Sequence, residues 1–216
     1  MRTILDYLPF SLDNAERSLY NIRMKQQLVL ATGNLGKLRE FRAMLPSFEI
    51  LSPKDLRMDF DVEETGSTFY ENALIKAKAL FELCGKPAVA DDSGLCVKAL
   101  GGAPGVFSAR YSGGNDRDNM IKLLEALSGK TDRTAYFESC IVYYDGKRAV
   151  ESTGRTFGRI TDEIIGDGGF GYDPIFLSDD LSKTFGQATE AEKNGVSHRY
   201  RALVGLREKL GLDNEP

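Results

Sequence analysis

The sequence predicts an α/β protein with a mixed β-sheet, arranged as two lobes around a cleft. The first observation is an apolar run at residues 28–31, followed by a glycine-containing loop and an amphipathic helical stretch at 37–45. This strand–loop–helix order is typical of α/β folds. The second is a hairpin signal late in the chain, where residues 134–144 favour a strand and Asp145-Gly146 follows them. A chain with both kinds of unit is expected to form a mixed sheet.

Composition and charge narrow the class of protein. The chain has 216 residues, of which 42% are hydrophobic and 28% charged, as in a globular protein of one domain or two small lobes. Its formal net charge of −4 argues against nucleic acid or an anionic membrane as a partner. No run of about 18 apolar residues occurs, so no transmembrane helix is expected. Cys84, Cys96 and Cys140 lack the pattern of a disulfide framework or a zinc site, which fits a cytoplasmic protein.

Residues 1–26 are predicted to form an N-terminal extension. With Asp6, Asp13 and Glu16 and no long apolar core, this segment makes a poor signal peptide. Two interpretations stay open. In the first, Met24 is the true start and the preceding residues reflect an upstream start-codon assignment. In the second, an extra helix packs on the domain or on a partner, with an apolar stripe of Leu8, Leu12, Ala15 and Leu19.

The loop after the first predicted strand is a candidate phosphate-binding site. Residues 32–37 are Thr-Gly-Asn-Leu-Gly-Lys and lead into a helix. Backbone N–H groups and the positive end of the helix dipole suit a phosphate at such a place, and Lys37 adds a charge. The spacing is not that of a P-loop. A plain turn is the alternative, because Asn and Gly favour turns.

A long helix is predicted between Thr68 and Gly85. Thr68 and Glu71 form a capping-box pattern at its start, and Gly85 is typical of a helix C-terminus. Asn72 and Lys76 are four residues apart, so they lie on one face of this helix. That face points either at a ligand or at solvent, and for the two residues taken alone exposure is the commoner case.

Two pairs of adjacent acids are the main candidates for chemistry. Asp91 and Asp92 follow a short apolar run, so they are expected where a buried strand leaves the core. Adjacent carboxylates repel each other unless a positive charge lies beside them, and Mg²⁺ with oxygen ligands is a common solution. Because Asp, Ser and Gly favour turns, a solvated turn at 91–94 is the alternative. Glu63-Glu64, ahead of the long helix, is the second pair.

The later part of the chain supplies a hairpin and a glycine-rich loop. The hairpin signal predicts strands at 134–144 and 148–153. Residues 166–173 are Gly-Asp-Gly-Gly-Phe-Gly-Tyr-Asp, and glycines allow the backbone to approach a ligand closely. Phe170 and Tyr172 favour a site with an aromatic face over an ordinary loop.

The last predicted helix begins at His198-Arg199. His198 is the only histidine in the chain, which excludes multi-histidine metal sites and leaves only triads that use His198. No Gly-x-Ser-x-Gly motif occurs, so a nucleophilic serine elbow is not indicated.

Taken together, the residues indicate metal-assisted displacement at phosphorus. Two acidic pairs, scattered Lys and Arg and no evident nucleophile suit a metal that neutralises phosphate charge, with a carboxylate that takes a proton from water. An aromatic loop suits a stacked base. The residues alone therefore predict a nucleotide phosphohydrolase.

The chain also resembles the Ham1 family, the inosine triphosphate pyrophosphatases or noncanonical purine NTP pyrophosphatases. The resemblance covers about residues 27–212, which is the predicted main domain, and leaves the N-terminal extension and a tail at 213–216 outside. It is carried by motifs in order along the chain: Thr-Gly-Asn-Leu-Gly-Lys at 32–37, Glu-Glu-Thr-Gly at 63–66, Asn-Ala-x-x-Lys-Ala at 72–77, Ala-Asp-Asp-Ser-Gly at 90–94, Gly-Gly-Ala-Pro-Gly at 101–105, Ser-Ala-Arg-Tyr at 108–111, Phe-Gly-Tyr-Asp-Pro at 170–174 and Ser-His-Arg at 197–199.

The resemblance implies an activity and a set of site residues. It implies Mg²⁺-dependent hydrolysis of ITP, dITP, XTP and dXTP to the monophosphate and pyrophosphate, by a homodimer with an elongated mixed sheet and a central cleft. The general base maps onto Asp92 and the metal ligands onto Glu63 and Asp92, with Glu64 and Asp91 as neighbouring alternatives. Substrate-binding positions map onto Thr32, Gly33, Asn34, Leu35, Gly36, Lys37, Lys76, Ser93, Phe170, Gly171, Tyr172, Asp173, Lys193, His198 and Arg199. Donors from His198, Arg199 or backbone N–H groups would bind the 6-oxo group that distinguishes hypoxanthine from adenine.

Two alternatives differ from this function. The first is a Maf-like nucleotide pyrophosphatase acting on pyrimidine or modified nucleotides; the His198-Arg199 pair and the Phe-Gly-Tyr-Asp loop at 170–173 speak against it. The second is a non-enzymatic nucleotide sensor. The acidic pairs speak against it, because a sensor has less need of negative charge near a triphosphate.

Overall fold

The computed structural model describes residues 26–212; the N-terminal extension up to residue 25, with its predicted helical stripe, and the tail at 213–216 lie outside the described residues. In chain order the elements are β1 (Gln26–Leu30), α1 (Leu35–Met44), β2 (Phe48–Leu51), α2 (Phe69–Cys84), β3 (Ala88–Val97), α3 (Asp116–Ala126), β4 (Thr134–Tyr144), β5 (Ala149–Ile160), β6 (Phe176–Ser178), α4 (Glu190–Val196) and α5 (His198–Leu210). Short 3₁₀ segments occur at Lys98–Leu100, Gly105–Arg110 and Asp173–Ile175.

The strands form one six-stranded sheet in the order β2-β1-β3-β4-β5-β6. β1 pairs in parallel with β2 and β3, whereas the pairs β3–β4, β4–β5 and β5–β6 are antiparallel. Helices flank the sheet, so the predicted α/β class with a mixed sheet is confirmed. The parallel half comes from the early strand–helix units, and the antiparallel half comes from the hairpin.

The predicted start and end signals of α2 are confirmed. The side chains of Thr68 and Glu71 form the predicted capping box at the start of α2. At the other end Gly85 adopts the left-handed conformation with φ of 65°, which glycine reaches without steric cost. Thr189 and Glu192 form a second capping box at the start of α4.

The expectation that a strand ends at Asp91 and Asp92 is wrong, and so is the turn at 91–94. β3 runs from Ala88 to Val97 and is paired with β4 along its whole length. Backbone hydrogen bonding continues through the acids because cations from α1, α2 and α5 lie beside them. The carboxylates therefore lie in the interior of the sheet and not at its edge.

The hairpin is confirmed, but its second strand continues to Ile160, beyond the predicted residue 153. Alternate residues of β5 face inward. Several of them are small or polar, so the strand shows no alternation of apolar and polar residues in the sequence. Gly154 is one of them, and a Cβ there would lie 2.2 Å from the His198 carbonyl oxygen. Glycine at this position allows the start of α5 to approach the sheet closely.

Apolar side chains pack on both faces of the sheet. On one face, Leu30 and Val89 contact a cluster that includes Phe41 of α1 and Leu203 of α5. On the other face, Ala90 packs in a cluster with buried alanines of α2. The side chains of successive β3 residues therefore pack against different helices on opposite faces of the sheet. Within residues 26–212, no helix is long and apolar enough to cross a membrane.

Candidate active site

A cavity of about 380 Å³ opens where the end of β1 and the start of α5 meet the middle of α2 and the middle of β3. That volume falls in the range of small-molecule sites. It is lined by Ala31, Thr32, Gly33, Asn34, Lys37, Phe60, Asp61, Val62, Glu64, Lys76, Asp92, Ser93, Gly94, Val106, Ser108, Ala109, Arg110, Asp116, Phe137, Phe170, Gly171, Tyr172, Asp173, His198 and Arg199.

Asp91 is a buried structural acid on the α1 and α5 side of β3. Its carboxylate lies 2.9 Å from Lys37 Nζ and 2.9 Å from Arg199 Nη2, and it accepts a short hydrogen bond from the Ser139 hydroxyl. Burial alone would raise the pKa of Asp91, but Arg199 and Lys37 outweigh it and hold the pKa well below the usual range. Asp91 is therefore a fixed anion that orders the cations around it.

Asp92 points to the opposite face, towards α2, and lines the cavity. Its Oδ1 lies 2.9 Å from Lys76 Nζ, and its Oδ2 accepts a hydrogen bond of 3.3 Å from the Asn72 amide. Burial raises the pKa of Asp92 despite the opposing effects of Lys76 and Lys37. The environments of Asp91 and Asp92 therefore shift the two pKa values in opposite directions, which is the pattern that separates a structural anion from a proton acceptor.

The face of α2 that carries Asn72 and Lys76 is buried, and Lys76 lines the cavity, so of the two alternatives for this face the ligand-facing one is favoured over exposure to solvent. Asn72 also accepts the Gly66 N–H through Oδ1 at 2.8 Å, so its amide links the preceding loop to Asp92. Lys76 donates 2.9 Å hydrogen bonds to both Glu64 and Asp92. These carboxylates raise the pKa of Lys76, although burial alone would lower it.

Of the second acidic pair, Glu64 reaches the cavity. Its Oε1 lies 2.9 Å from Lys76 Nζ and its Oε2 lies 3.5 Å from Arg110 Nη1. Glu63 is exposed and does not line the cavity. The assignment of Glu63 as a metal ligand stays a prediction of the resemblance, whereas the geometry favours Glu64 as the acid that accompanies Asp92.

The candidate phosphate loop is shaped by its own side chains. Asn34 caps α1 by accepting the Lys37 N–H at 3.0 Å, and Thr32 Oγ1 accepts the Asn34 N–H at 3.0 Å. Lys37 leaves the first turn of the helix towards Asp91. Burial lowers the pKa of Lys37 although Asp91 opposes the shift. The loop thus presents a helix N-terminus and a lysine to the cavity. Leu35 is 75% exposed and does not line it.

Phe170 lies against the start of α1. A Cβ on Gly36 would lie 2.6 Å from the Phe170 ring, so only glycine leaves room for this packing. Asp173 accepts the Phe170 N–H at 2.8 Å, and Lys193 Nζ lies 4.5 Å from the centre of the Phe170 ring. The aromatic loop is therefore fixed against the phosphate loop, and Gly36 acts from behind the ring without lining the cavity.

The rest of the aromatic loop is held by hydrogen bonds. Tyr172 donates its hydroxyl to the Ser108 carbonyl at 2.8 Å, and burial raises its pKa. Gly171 donates its N–H to Asp116 at the start of α3 at 2.8 Å. Tyr172 therefore serves mainly as an anchor, and Phe170 is the ring that faces the cavity beside Gly36.

His198 and Arg199 sit side by side at the start of α5 but differ in their surroundings. The His198 ring stacks on Phe137 at 4.8 Å, and its buried Nδ1 finds no hydrogen-bond partner among the described residues. Burial, reinforced by Arg199, holds the pKa of His198 well below its usual range, so the imidazole is neutral. Arg199 is engaged with Asp91, Ser93 and Glu40.

Glu40 is a buried residue of α1 to which no sequence motif assigned a role. It forms ion pairs with Arg199 and with Lys193, the latter at 2.8 Å. Burial alone would raise the pKa of Glu40, but the two cations lower it to about 2. Glu40 follows Lys37 by three residues and so shares its side of the helix, which is the one sequence signal that could have drawn attention to it.

Most of the predicted site residues come together, and a few lie behind the cavity wall. Those that line the cavity are Thr32, Gly33, Asn34, Lys37, Lys76, Asp92, Ser93, Phe170, Gly171, Tyr172, Asp173, His198 and Arg199, and those that do not are Leu35, Gly36, Glu63 and Lys193. Lys193 is buried between Glu40 and Asp173. Among the lining residues given no role from sequence are Asp61, Arg110 and Asp116.

Comparison with known proteins gives a consistent result. The model of the Ham1 family matches residues 28–209. The chain is 50% identical over 189 residues to a protein of Leptospira interrogans named dITP/XTP pyrophosphatase, covering 85% of this chain and 96% of that protein. A protein of Treponema denticola with the same name is 47% identical over 187 residues, covering 83% and 96%.

Solved structures agree with the sequence comparison. The Ham1 protein of Staphylococcus aureus superposes with a TM-score of 0.78 at 41% identity, covering 86% of this chain and 98% of that one. A nucleoside-triphosphatase, or dITP/XTP pyrophosphatase, of Mycobacterium abscessus superposes with a TM-score of 0.68 at 41% identity, covering 84% and 98%. With the family model and relatives of this identity spanning nearly all described residues, the chain belongs to the Ham1 family.

Proposed function

We propose that this protein is a nucleoside-triphosphate pyrophosphohydrolase that removes noncanonical purine nucleotides, ITP, dITP, XTP and dXTP, as the monophosphate and pyrophosphate. The observation that carries the proposal is the position of Asp92. This buried carboxylate faces a cavity. One wall of the cavity is the loop whose Asn34 caps α1, together with Lys37, and another wall is the Phe170 ring. The names of the 42–50% identical relatives support the same reaction.

The chain's own residues can carry out hydrolysis by water. Asp92 accepts the proton of a water molecule that attacks the α-phosphorus, and its raised pKa makes it a better acceptor than an exposed aspartate. The helix N-terminus at Asn34 and the Lys37 ammonium bind phosphate oxygens. Lys76, held 2.9 Å from Asp92, orients this carboxylate and places a positive charge where pyrophosphate departs.

The donor set fits a magnesium ion. Glu64 and Asp92 both face the cavity and both lie 2.9 Å from the same lysine nitrogen, so two carboxylates converge at one place. The carboxylates that line the cavity also outnumber its cations, which favours a divalent cation as companion to a triphosphate. Mg²⁺ is commonly held by one or two carboxylates together with substrate phosphates. When bound by Glu64 and Asp92, it would neutralise phosphate charge.

Base selection is assigned to His198 and the aromatic loop. The ring of Phe170 offers a stacking face, and the neutral imidazole of His198 has one nitrogen, Nδ1, without a partner among the described residues. When it carries the imidazole proton, that nitrogen would donate a hydrogen bond to the 6-oxo group of hypoxanthine or xanthine and disfavour the amino group of adenine, which is itself a donor. A site built on such a hydrogen bond can discriminate by a factor of about 10⁴.

We further propose a cytoplasmic homodimer as the working form, on the strength of the family resemblance. Sedimentation velocity of the full chain tests the assembly. A single species near twice the chain mass of 23.9 kDa supports a dimer, and a species at the chain mass argues against it.

The experiment that tests the function measures pyrophosphate release from dITP, XTP, GTP, ATP and dTTP, each with Mg²⁺ and with EDTA. Fast, metal-dependent release from dITP and XTP, with little from ATP and dTTP, is the expected result. Preferred release from dTTP would support the Maf-like alternative. Metal-independent nucleotide binding with no turnover of any substrate would support a sensor and reject the enzyme.

A further inference from the structure

The cations of the cavity differ in how firmly they are held. Lys37 is bound to Asp91, and Lys76 to both Glu64 and Asp92. Arg199 is almost fully buried between Asp91 and Glu40. These side chains already form ion pairs with protein carboxylates. Each therefore has few donors left to bind a triphosphate, which carries several negative charges.

Arg110 is different. It lines the same cavity, but its side chain is 46% exposed and its only ion pair among the described residues is a long one, 3.5 Å to Glu64. The guanidinium also lies 5.2 Å from the ring centre of Phe107, itself exposed. A guanidinium presents a planar fork of donors that matches phosphate oxygens. Most of its donors are therefore available at the mouth of the cavity.

The neighbours of Arg110 place it on the phosphate side of the cavity. Charges alternate from Asp92 to Lys76, to Glu64 and then to Arg110, with the first three joined by contacts of 2.9 Å. Asp92 marks the position of the attacked phosphorus in the proposed function. Arg110 stands at the far end of this series, beyond Glu64, where the leaving part of a triphosphate chain would extend.

We propose that Arg110 is a substrate-contacting residue that binds the β- and γ-phosphates, and so the departing pyrophosphate, by exchanging its long contact with Glu64 for phosphate oxygens. The inference rests on the proposed function and adds the residue that holds the leaving group. Its backbone position is fixed, because Gly105–Arg110 is a 3₁₀ segment whose Ser108 accepts the Leu95 N–H of β3 at 2.9 Å.

The test is calorimetric binding of the two products, inorganic pyrophosphate with Mg²⁺ and IMP, to the wild type, Arg110→Ala and Arg110→Lys. Arg148→Ala is the matched control, since Arg148 is an exposed arginine that pairs with Asp145 and lies over the Tyr143 ring outside this cavity. We expect Arg110→Ala to weaken pyrophosphate binding by about tenfold or more, as for a lost charge-assisted hydrogen bond. IMP binding should stay within about twofold, and Arg110→Lys should recover part of the loss.

Each other outcome overturns the inference. Unchanged pyrophosphate binding in Arg110→Ala, an equal loss of IMP binding, or no measurable pyrophosphate binding to the wild type would each remove Arg110 from the leaving-group site. Pyrophosphate release from dITP, measured in parallel, separates the two proposals. If the wild type and Arg110→Ala release pyrophosphate from dITP at the same rate, only this inference is rejected. If the wild type releases none, the proposed function is rejected.

Discussion

Arg199 and Asp91 form an ion pair in the interior, with Nη2 2.9 Å from Oδ2 and both side chains almost fully buried. The family resemblance implies that Arg199 reads the base, yet its guanidinium also contacts Glu40 and the Ser93 hydroxyl. Four elements, α1, β3, α4 and α5, are connected through Arg199, Glu40 and Lys193, and Lys193 also pairs with Asp173 of the aromatic loop. The proposed base-binding end and the proposed phosphate-binding end of the cavity therefore share one buried charge network.

Arg199→Ala is expected to act first on stability. Removing one partner of a buried pair leaves the other charge uncompensated, which costs about 3–5 kcal/mol. Here both Asp91 and Glu40 lose a partner. Urea unfolding followed by circular dichroism measures the loss.

The matched control is Arg201→Ala, two residues along the same helix. Arg201 pairs with Asp180 at 3.0 Å, and both side chains are about a third exposed. An exposed pair contributes about 0–1 kcal/mol. Equal losses in the two variants would contradict the assignment of Arg199 as the centre of the network.

Asp92→Asn is expected to keep the fold and lose turnover. The amide conserves shape and its oxygen can still accept from Lys76, but its NH₂ group then faces the Asn72 NH₂ donor, and the side chain cannot take a proton from water. Loss of a general base costs about 10²–10⁴ in rate. Steady-state pyrophosphate release gives kcat, and thermal unfolding checks the fold.

Asp55→Asn serves as the comparison for Asp92→Asn. Asp55 pairs with Arg42 at the end of β2 and does not line the cavity. Its turnover should match the wild type. Normal turnover by Asp92→Asn would show that another group accepts the proton.

Local signals made much of this fold predictable. The Thr68–Glu71 box and the Asp145-Gly146 turn act within a few residues, so they can be identified before any tertiary contact is known. The continuation of β3 through Asp91 could not be identified in this way, because it depends on Lys37 and Arg199, which lie far away along the chain. Charge neutralisation at a distance overrode a local preference for a turn.

The same reasoning separates the predicted and missed parts of the site. Asp92 stood out because adjacent carboxylates after an apolar run are a visible pattern. Lys76 was assigned to the site only through the family resemblance, because a lysine on a helix face is most often exposed. Glu40 did not, because a single glutamate on an amphipathic helix is most often exposed. Its burial follows from Arg199 and Lys193, 159 residues away in the first case.

Gly36→Ala is expected to impair substrate binding more than folding. Alanine favours a helix over glycine by about 1 kcal/mol, but its Cβ would lie 2.6 Å from the Phe170 ring. The ring must move, and its face is then displaced from the cavity. We expect KM for dITP to rise several-fold, while the free energy of unfolding falls by no more than about 2 kcal/mol, because overpacking costs about 1–3 kcal/mol and the helix preference for alanine offsets about 1 kcal/mol of it.

Gly195→Ala is the control for Gly36→Ala. Gly195 lies in α4, and a Cβ there meets nothing within 4 Å. This variant should gain a little stability and keep its KM. If both variants left KM unchanged, the contact between α1 and the aromatic loop would have no part in substrate binding.

Glu40→Gln tests the network through pH. Arg199 and Lys193 lower the pKa of Glu40 to about 2 from an ordinary 4.5 despite its burial. A carboxylate whose pKa is lowered by folding stabilises the fold at any pH above its pKa in the unfolded chain. This contribution is lost as pH falls from about 4.5 towards 2. At pH 7 the wild type should exceed Glu40→Gln by about 3 kcal/mol in free energy of unfolding.

The measurement is urea unfolding of both proteins from pH 7 down to the lowest pH at which the wild type stays folded. The difference in stability should be constant near neutrality and shrink below pH 4.5, because only the wild type carries the titrating group at position 40. The exposed Glu190, which pairs with Arg39 at the surface, gives the control Glu190→Gln with a difference near zero throughout. A gap between wild type and Glu40→Gln that persists unchanged in acid would mean that the carboxylate stabilises the fold by its shape and hydrogen bonds and not by its charge.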